Sequence, residues 1–96
     1  MTLLQQAKIE KTDILNWLIH ADTQTLASTL LQGLALTYED VRFVCKHLQV
    51  HNRYEQLQLL ARYRTAYQDA AEQVTNEQQQ AAAGVKAANT WLRCRR

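Results

Sequence analysis

The chain contains no proline and only two glycines in 96 residues, well below average usage of about 5% and 7%. Because these two residue types build most of the turns in sandwiches and barrels, their shortage favours helices. No segment alternates apolar and polar residues between turn residues, as a half-buried strand does. No segment recurs with a period of about 20–50 residues, which excludes a solenoid. The sequence therefore predicts an all-α protein.

Residues that cap helix N-termini occur at intervals along the chain, and apolar residues with helical spacing follow each of them. Whether residues 2–20 form one helix or two is left open, since Lys11 would interrupt the apolar stripe of a continuous helix. Gly33 is expected to end the helix before it in the left-handed conformation. The predicted helix starts are Thr2 with Gln5, Asp13, Asp22 or Thr23, Thr37 with Asp40, Asn52 with Glu55, and Thr75 with Gln78.

The helix predicted over residues 53–73 has the widest apolar surface. At 100° per residue its apolar side chains fill about half of the circumference, with Leu60 at the centre. A surface of that width indicates neighbours on two sides, because a helix packed on one side needs a narrower stripe. We therefore predict a single domain over residues 1–96, a compact bundle of four or five short helices with helix 53–73 central.

Residues with catalytic or metal-binding chemistry occur without the spacing that such sites need. His47 and His51 lie four residues apart, but no glutamate follows His47 as in zinc proteases, and few further ligands remain. Cys45 belongs to an apolar stripe, and Cys94 lies near the chain end, where nothing encloses a substrate. Phosphate loops, nucleophile elbows and calcium loops are missing from the sequence. We expect no enzymatic activity, no catalytic residue, no metal and no cofactor.

Cysteine usage and the N-terminus bear on the cellular compartment. Cys45 and Cys94 form no CxxC pair, which favours two free thiols in a reducing environment. The N-terminus lacks the basic start and small-residue cleavage site of a signal peptide. No apolar run reaches the roughly 18 residues that span a bilayer. We expect a cytoplasmic protein without a membrane interaction.

Charge is distributed unevenly along the chain. Residues 1–40 carry two lysines against five carboxylates, whereas residues 41–96 carry nine Lys and Arg against four carboxylates. This polarity points to an anionic partner. Cations are also favoured at a helix C-terminus by the helix dipole, which accounts for the last arginines but not for Lys86. The most concentrated basic surface, named the basic stripe here, consists of Lys86, Asn89, Arg93 and Arg96 on the last helix.

The apolar face of the same helix offers two further binding features. Trp91 lies on an Ala-rich face, where it belongs to the core or anchors a partner helix, since aromatic residues dominate binding hot spots. Ala81, Gly84 and Ala88 form a seam of small residues that would let a second copy approach closely. A homodimer through this seam is therefore an open alternative.

Residues 23–48 are predicted to form a helix, a short turn and a second helix, which is the arrangement of a DNA-binding helix-turn-helix motif. Glu39 and Asp40 stand at the start of the second helix, however, where carboxylates oppose phosphate binding. Arg42 and Lys46 could still reach a groove from further along the helix.

Arginines and tyrosines alternate between residues 53 and 67, a pattern that single-strand binders use for charge and stacking. Tyr63 and Tyr67 fall within the apolar arc of their helix, which favours core tyrosines instead. Arg64 lies at the edge of that arc, where its stem can cover the core or its head can pair with an acidic residue.

Once enzymatic catalysis and metal binding are set aside, two classes of function are left. The first is a small intracellular interaction protein, such as an adaptor, inhibitor or regulatory subunit, that presents a helical face to a protein partner. The alternative is a nucleic-acid-binding module that combines the basic stripe with Arg42 and Lys46.

Overall fold

The computed structural model describes residues 13–94, and all regular secondary structure in that range is helical. The first helix, α1, occupies residues 13–20 of the described range. Four helices follow it, namely α2 (Thr23–Leu30), α3 (Tyr38–Leu48), α4 (Arg53–Glu72) and α5 (Glu77–Cys94). The all-α bundle is thus confirmed. The question of one or two helices in residues 2–20 lies outside the described residues.

Three of the predicted helix starts are capped as the sequence indicates. Asp22 accepts a hydrogen bond from the backbone N–H of Thr25 at 2.7 Å. Thr37 and Asp40 form a reciprocal capping box at the start of α3. Asn52 caps α4 by accepting from the backbone N–H of Glu55. These bonds join residues three apart, and the spacing in sequence is therefore enough to predict them.

The predicted start of α5 and the predicted end of α2 are wrong in detail. The start of α5 is capped by Asn76 and not by Thr75, because Oδ1 of Asn76 accepts the N–H groups of Gln78 and Gln79. α2 ends at Leu30, and a turn separates it from Gly33. Gly33 does adopt the left-handed conformation, with φ of 88°.

α4 supplies more buried residues than any other described helix, which supports its central place. Leu60 is 1% exposed at the centre of the apolar surface, while Gln58 faces solvent. Tyr63 and Tyr67 are both buried, so their interpretation as core residues is confirmed. The buried residues of α4 are Gln56, Leu59, Leu60, Tyr63 and Tyr67.

Polar side chains of α4 also donate hydrogen bonds to carbonyls at, or just after, the C-termini of the three helices before it. Such carbonyls have no partner within their own helix, and guanidinium and amide N–H groups satisfy them here. The bonds run from Arg53 to the carbonyls of Leu18 and Ala21, from Gln56 to those of Leu48 and His51, and from Arg64 to those of Leu30 and Gln32. Neither of the two roles predicted for Arg64 was a hydrogen bond to carbonyls at the end of a helix, which is the role that it has here.

α5 packs directly on α4 through its small residues. Gly84 and Ala88 are buried, and a β-carbon at Gly84 would lie 2.9 Å from ring carbons of Tyr67. The Tyr67 hydroxyl in turn accepts a hydrogen bond from the backbone N–H of Ala35. Gly84 and Ala88 are therefore covered within the chain, whereas Ala81 is half-buried.

Candidate functional site

Two members of the basic stripe, Asn89 and Arg93, lie along the seam between α3 and α5. Asn89 is engaged inside the protein, because its Oδ1 accepts from the Tyr63 hydroxyl at 2.6 Å and its Nδ2 donates to Asp40 at 3.4 Å. Burial first, and then the charge of Asp40, raises the pKa of Tyr63 far above its usual range, so this hydroxyl remains a donor. Both polar atoms of the half-buried Asn89 side chain thus have partners within the protein.

One turn further along α5, Arg93 covers an aromatic ring of α3. Its guanidinium carbon lies 5.7 Å from the centroid of Phe43, within the range of a cation–π interaction. Because the pairs Asp40–Asn89 and Phe43–Arg93 advance together, α3 and α5 run in the same direction along this seam.

Lys86 lies two turns before Arg93, about 10 Å away along the axis, and is exposed. The structure therefore separates Lys86 from the end of α5 that meets Phe43. Arg96 lies outside the described residues.

Phe43 lies near three of the five predicted cations, namely Arg42, Lys46 and Arg93. Arg42 and Lys46 are exposed on α3 on either side of it in sequence, and Arg93 reaches it from α5. Arg42 also lies over the ring of Tyr38, 5.9 Å from its centroid. We call this surface the Phe43 face, and it comprises Arg42, Phe43, Lys46, His47, Val50 and Arg93.

Two depressions flank Phe43, and both are lined by Phe43 and Lys46. The larger has a volume of about 650 Å³ and extends between α3 and the start of α2. The smaller, of about 330 Å³, lies towards the end of α3. The larger is lined by Gln24, Glu39, Arg42, Phe43, Cys45, Lys46 and Gln49, and the smaller by Phe43, Lys46, His47 and Val50.

Phe43 is held by its neighbours, whereas the end of the smaller depression is open. The rings of Phe43 and His47 are 4.6 Å apart at an angle of 59°, and Arg93 lies over the same phenyl ring. Val50 is 84% exposed in the turn after α3. A half-buried aromatic ring beside an exposed apolar side chain is a ready anchor point for another apolar group.

The electrostatics of the face are cationic. Within residues 13–94, neither Arg42, Lys46 nor Arg93 has a carboxylate partner, and the ion pair recorded in that range joins His51 to Glu55. Glu39 is the one carboxylate among the lining residues of the two depressions, all of which lie in the described range. An uncompensated group of cations attracts an anionic ligand and raises its association rate.

Nucleophilic chemistry is not organised at this face. Cys45 contributes to the larger depression but is buried, and its Sγ lies 3.9 Å from the carbonyl of Thr23. Burial first, and the charge of Asp22 second, raises the pKa of the Cys45 thiol, which keeps it protonated at neutral pH. No group of three His, Cys, Asp or Glu that could hold a metal occurs among residues 13–94.

Phe43 and Val50 were not among the residues predicted from sequence, and His47 was considered only as a metal ligand. A signal for Phe43 exists, because at 100° per residue it lies about 150° from the buried stripe of α3. An apolar residue on the polar side of an amphipathic helix is a candidate for a binding surface, and Phe43 also packs against the core from this position. Lys46 and His47 lie on that same side of α3.

Trp91 and the described part of α1 provide apolar surface elsewhere. Trp91 is half-buried and packs against the core, so its first role is structural. Ile14, Leu15 and Ile19 are more than half exposed on α1. The eight described residues of α1 extend about 12 Å.

No protein-family model matches the chain, and no curated protein or solved structure matches it either. None of the helices in the described range is both long and apolar enough to cross a membrane. Function is therefore inferred from the geometry of the described residues.

Proposed function

We propose that this chain is a small non-enzymatic interaction protein that presents the Phe43 face to a macromolecular partner. The observation that supports this proposal is the convergence of both depressions on Phe43 and Lys46, with Arg42 and Arg93 beside them. Aromatic residues and arginine are enriched at the centres of protein interfaces. An adaptor, inhibitor or regulatory subunit acts through such a face without any chemistry of its own.

The way in which Phe43 is held favours binding. A side chain that already occupies its bound position loses little rotamer freedom when a partner docks. Phe43 meets this condition, because His47 and Arg93 contact its ring. Arg42, Lys46 and Arg93 are exposed, so they can attract the partner before they become buried with it.

A cytoplasmic location fits the cysteines. Cys45 and Cys94 are both free thiols, one buried and one exposed. Unpaired thiols are typical of proteins in reducing compartments. We therefore place the interaction in the cytoplasm as part of the same proposal.

Nucleic-acid binding is the second candidate function, and one observation favours it. Arg93 comes to lie beside the α3 surface that carries Arg42 and Lys46, which concentrates three cations. Phosphate contacts by these side chains would make binding fall steeply with salt. Glu39 in the larger depression opposes this function.

Affinity capture from native extract with matched charge variants tests the first candidate. Lys46→Glu reverses an exposed charge on the Phe43 face, and Arg62→Glu reverses an exposed charge on α4 as the control. We expect one or more proteins captured by the parent to be lost with Lys46→Glu and retained with Arg62→Glu. Identical capture by the parent and Lys46→Glu would refute the proposal.

A further inference from the structure

We infer that the partner of the Phe43 face is an acidic protein segment that carries one bulky apolar side chain. This inference rests on the proposed function and specifies the ligand of the same surface. The apolar side chain enters the smaller depression between Phe43 and Val50. Carboxylates on either side of it meet Lys46, Arg42 and Arg93.

The apolar part of the ligand follows from the smaller depression. It is an open depression of about 330 Å³ with four lining residues, and it is a shallow site on the surface. Phe43 and Val50 supply apolar walls, and Val50 is 84% exposed without a cover. Lys46 and His47 complete the lining, and the stem of the lysine is itself apolar. A leucine or an aromatic side chain matches these surroundings, because it would bury the exposed apolar surface of Val50.

The acidic part of the ligand follows from the charges around that depression. Lys46 lines both depressions, so a carboxylate beside the anchor lies near its ammonium group from either side. Arg42 and Arg93 lack a carboxylate partner within the described residues. Charge complementarity therefore selects a segment with more than one Asp or Glu.

The length of the ligand follows from α3. The lining residues extend from Glu39 to Val50 along the helix and the turn after it, a distance of about 16 Å at 1.5 Å per residue. A segment of three helical turns covers this distance, and an isolated side chain or a single phosphate does not.

Two observations favour a protein segment over nucleic acid. The exposed wall of Val50 lies at one end of the face, and a phosphate gains nothing from an apolar wall. Glu39 lies at the other end, where it would repel a continuous phosphate backbone. A peptide can match both ends, since its sequence can hold a carboxylate at one position and an apolar or basic residue at another.

Fluorescence anisotropy with synthetic peptides tests the inference. The probe is a labelled peptide of about twelve residues with four glutamates around a central leucine, phenylalanine or tryptophan. One control peptide carries serine at the centre, and a second carries glutamine in place of glutamate. Single-stranded and duplex DNA oligonucleotides serve as competing ligands, measured at low and high salt.

Three variants of the full chain locate the binding. Val50→Ser changes a side chain that is almost fully exposed in a turn, and the fold is therefore retained. Lys46→Glu reverses the shared charge, and Arg62→Glu on α4 is the matched control. We expect Lys46→Glu to weaken the acidic peptide about tenfold or more. Val50→Ser should weaken the leucine peptide several-fold and leave the serine peptide unchanged, and Arg62→Glu should change neither.

The outcomes separate the inference from the proposed function. If no acidic peptide binds, or if binding is insensitive to Lys46→Glu and Val50→Ser, the inference is overturned. If the oligonucleotides bind through Lys46 and the peptides do not, the inference is wrong while the Phe43 face remains a binding surface. If capture from extract is also unchanged by Lys46→Glu, the proposed function fails as well.

Discussion

The ring of Tyr67 lies against Gly84 so closely that a β-carbon on the glycine would approach three ring carbons to 2.9 Å. This approach holds α5 on α4. Five residues later Asn89 bonds to Tyr63, and four residues after that Arg93 reaches Phe43. The packing of α5 against α4 therefore brings Arg93 to the surface proposed for binding, which α3 otherwise supplies, although neither Tyr67 nor Gly84 belongs to that surface.

Gly84→Ala tests this packing, because two effects on stability oppose each other. Alanine has the higher helix propensity and would add about 1 kcal/mol in an exposed helix. The added methyl group collides with a ring whose hydroxyl is bonded to Ala35, and such overpacking costs about 1–3 kcal/mol. We expect a net loss in the free energy of unfolding, measured by denaturant titration. A gain of about 1 kcal/mol would show that Tyr67 moves aside freely. Ala82→Ser, at an exposed site on α5, is the control.

Leu60→Ala removes a side chain from the centre of the core. Leu60 is 1% exposed, and such truncations cost about 2–5 kcal/mol. We expect thermal unfolding to shift down by many degrees. Gln58→Ala, two residues away on the solvent side of α4, loses a surface hydrogen bond to Tyr54. This variant should leave the melting temperature nearly unchanged. Equal shifts for the two variants would contradict the orientation of α4.

Arg64→Met tests the closure of α2 by a side chain of α4. Methionine keeps much of the apolar stem and removes the N–H groups that bind the carbonyls of Leu30 and Gln32. Hydrogen bonds from a charged group contribute about 1.5–3 kcal/mol, and partial exposure places this one at the lower end. Arg62→Met changes the same residue type at an exposed site of α4 and should leave stability nearly unchanged. A comparable loss in both variants would mean that the carbonyls of α2 do not depend on Arg64.

Asp22 should make the free energy of unfolding depend on pH in the acidic range. The backbone N–H and hydroxyl of Thr25 donate to its carboxylate and hold the pKa of Asp22 below its usual value of 3.8. A lowered folded pKa means that this contribution is complete above the unfolded value and is lost as pH falls through the folded value. The melting temperature of the parent should fall between neutral pH and about pH 3. We expect this fall to be smaller for Asp22→Asn, because asparagine still caps the helix but does not titrate. An unchanged drop would place the acid sensitivity elsewhere.

The two thiols should differ in reactivity. Cys94 is exposed, whereas Cys45 is buried and burial raises its pKa, and the thiolate is the reactive form. With iodoacetamide at neutral pH we expect one thiol to be alkylated quickly and the second only after denaturant is added. Cys94→Ser should abolish the fast phase and leave the slow one. Rapid labelling of both thiols in the folded parent would show that Cys45 is accessible.

Local features of this fold were predictable from sequence because they depend on neighbouring residues. The caps at Thr37 and Asn52 join residues three apart, and the spacing alone brings the groups together. Periodicity placed Leu60, Tyr63 and Tyr67 on one face of α4, and all three are buried. The start of α5 was misassigned to Thr75, because Thr75 and Asn76 are adjacent and both residue types cap helices well.

The tertiary structure alone decided which helix faces meet and what their polar groups do. A small-residue seam at Gly84 fits a helix of the same chain or of a second copy equally well, and only the packing of Tyr67 selects the first. Arg64 could reach solvent, an acid or a helix end, and the position of α2 selects the carbonyls of Leu30 and Gln32. Arg93 and Phe43 are 50 residues apart in sequence, so no local spacing relates them. The physical reason is that helical periodicity is a property of short range, whereas the pairing of faces depends on the free energy of the whole packed core.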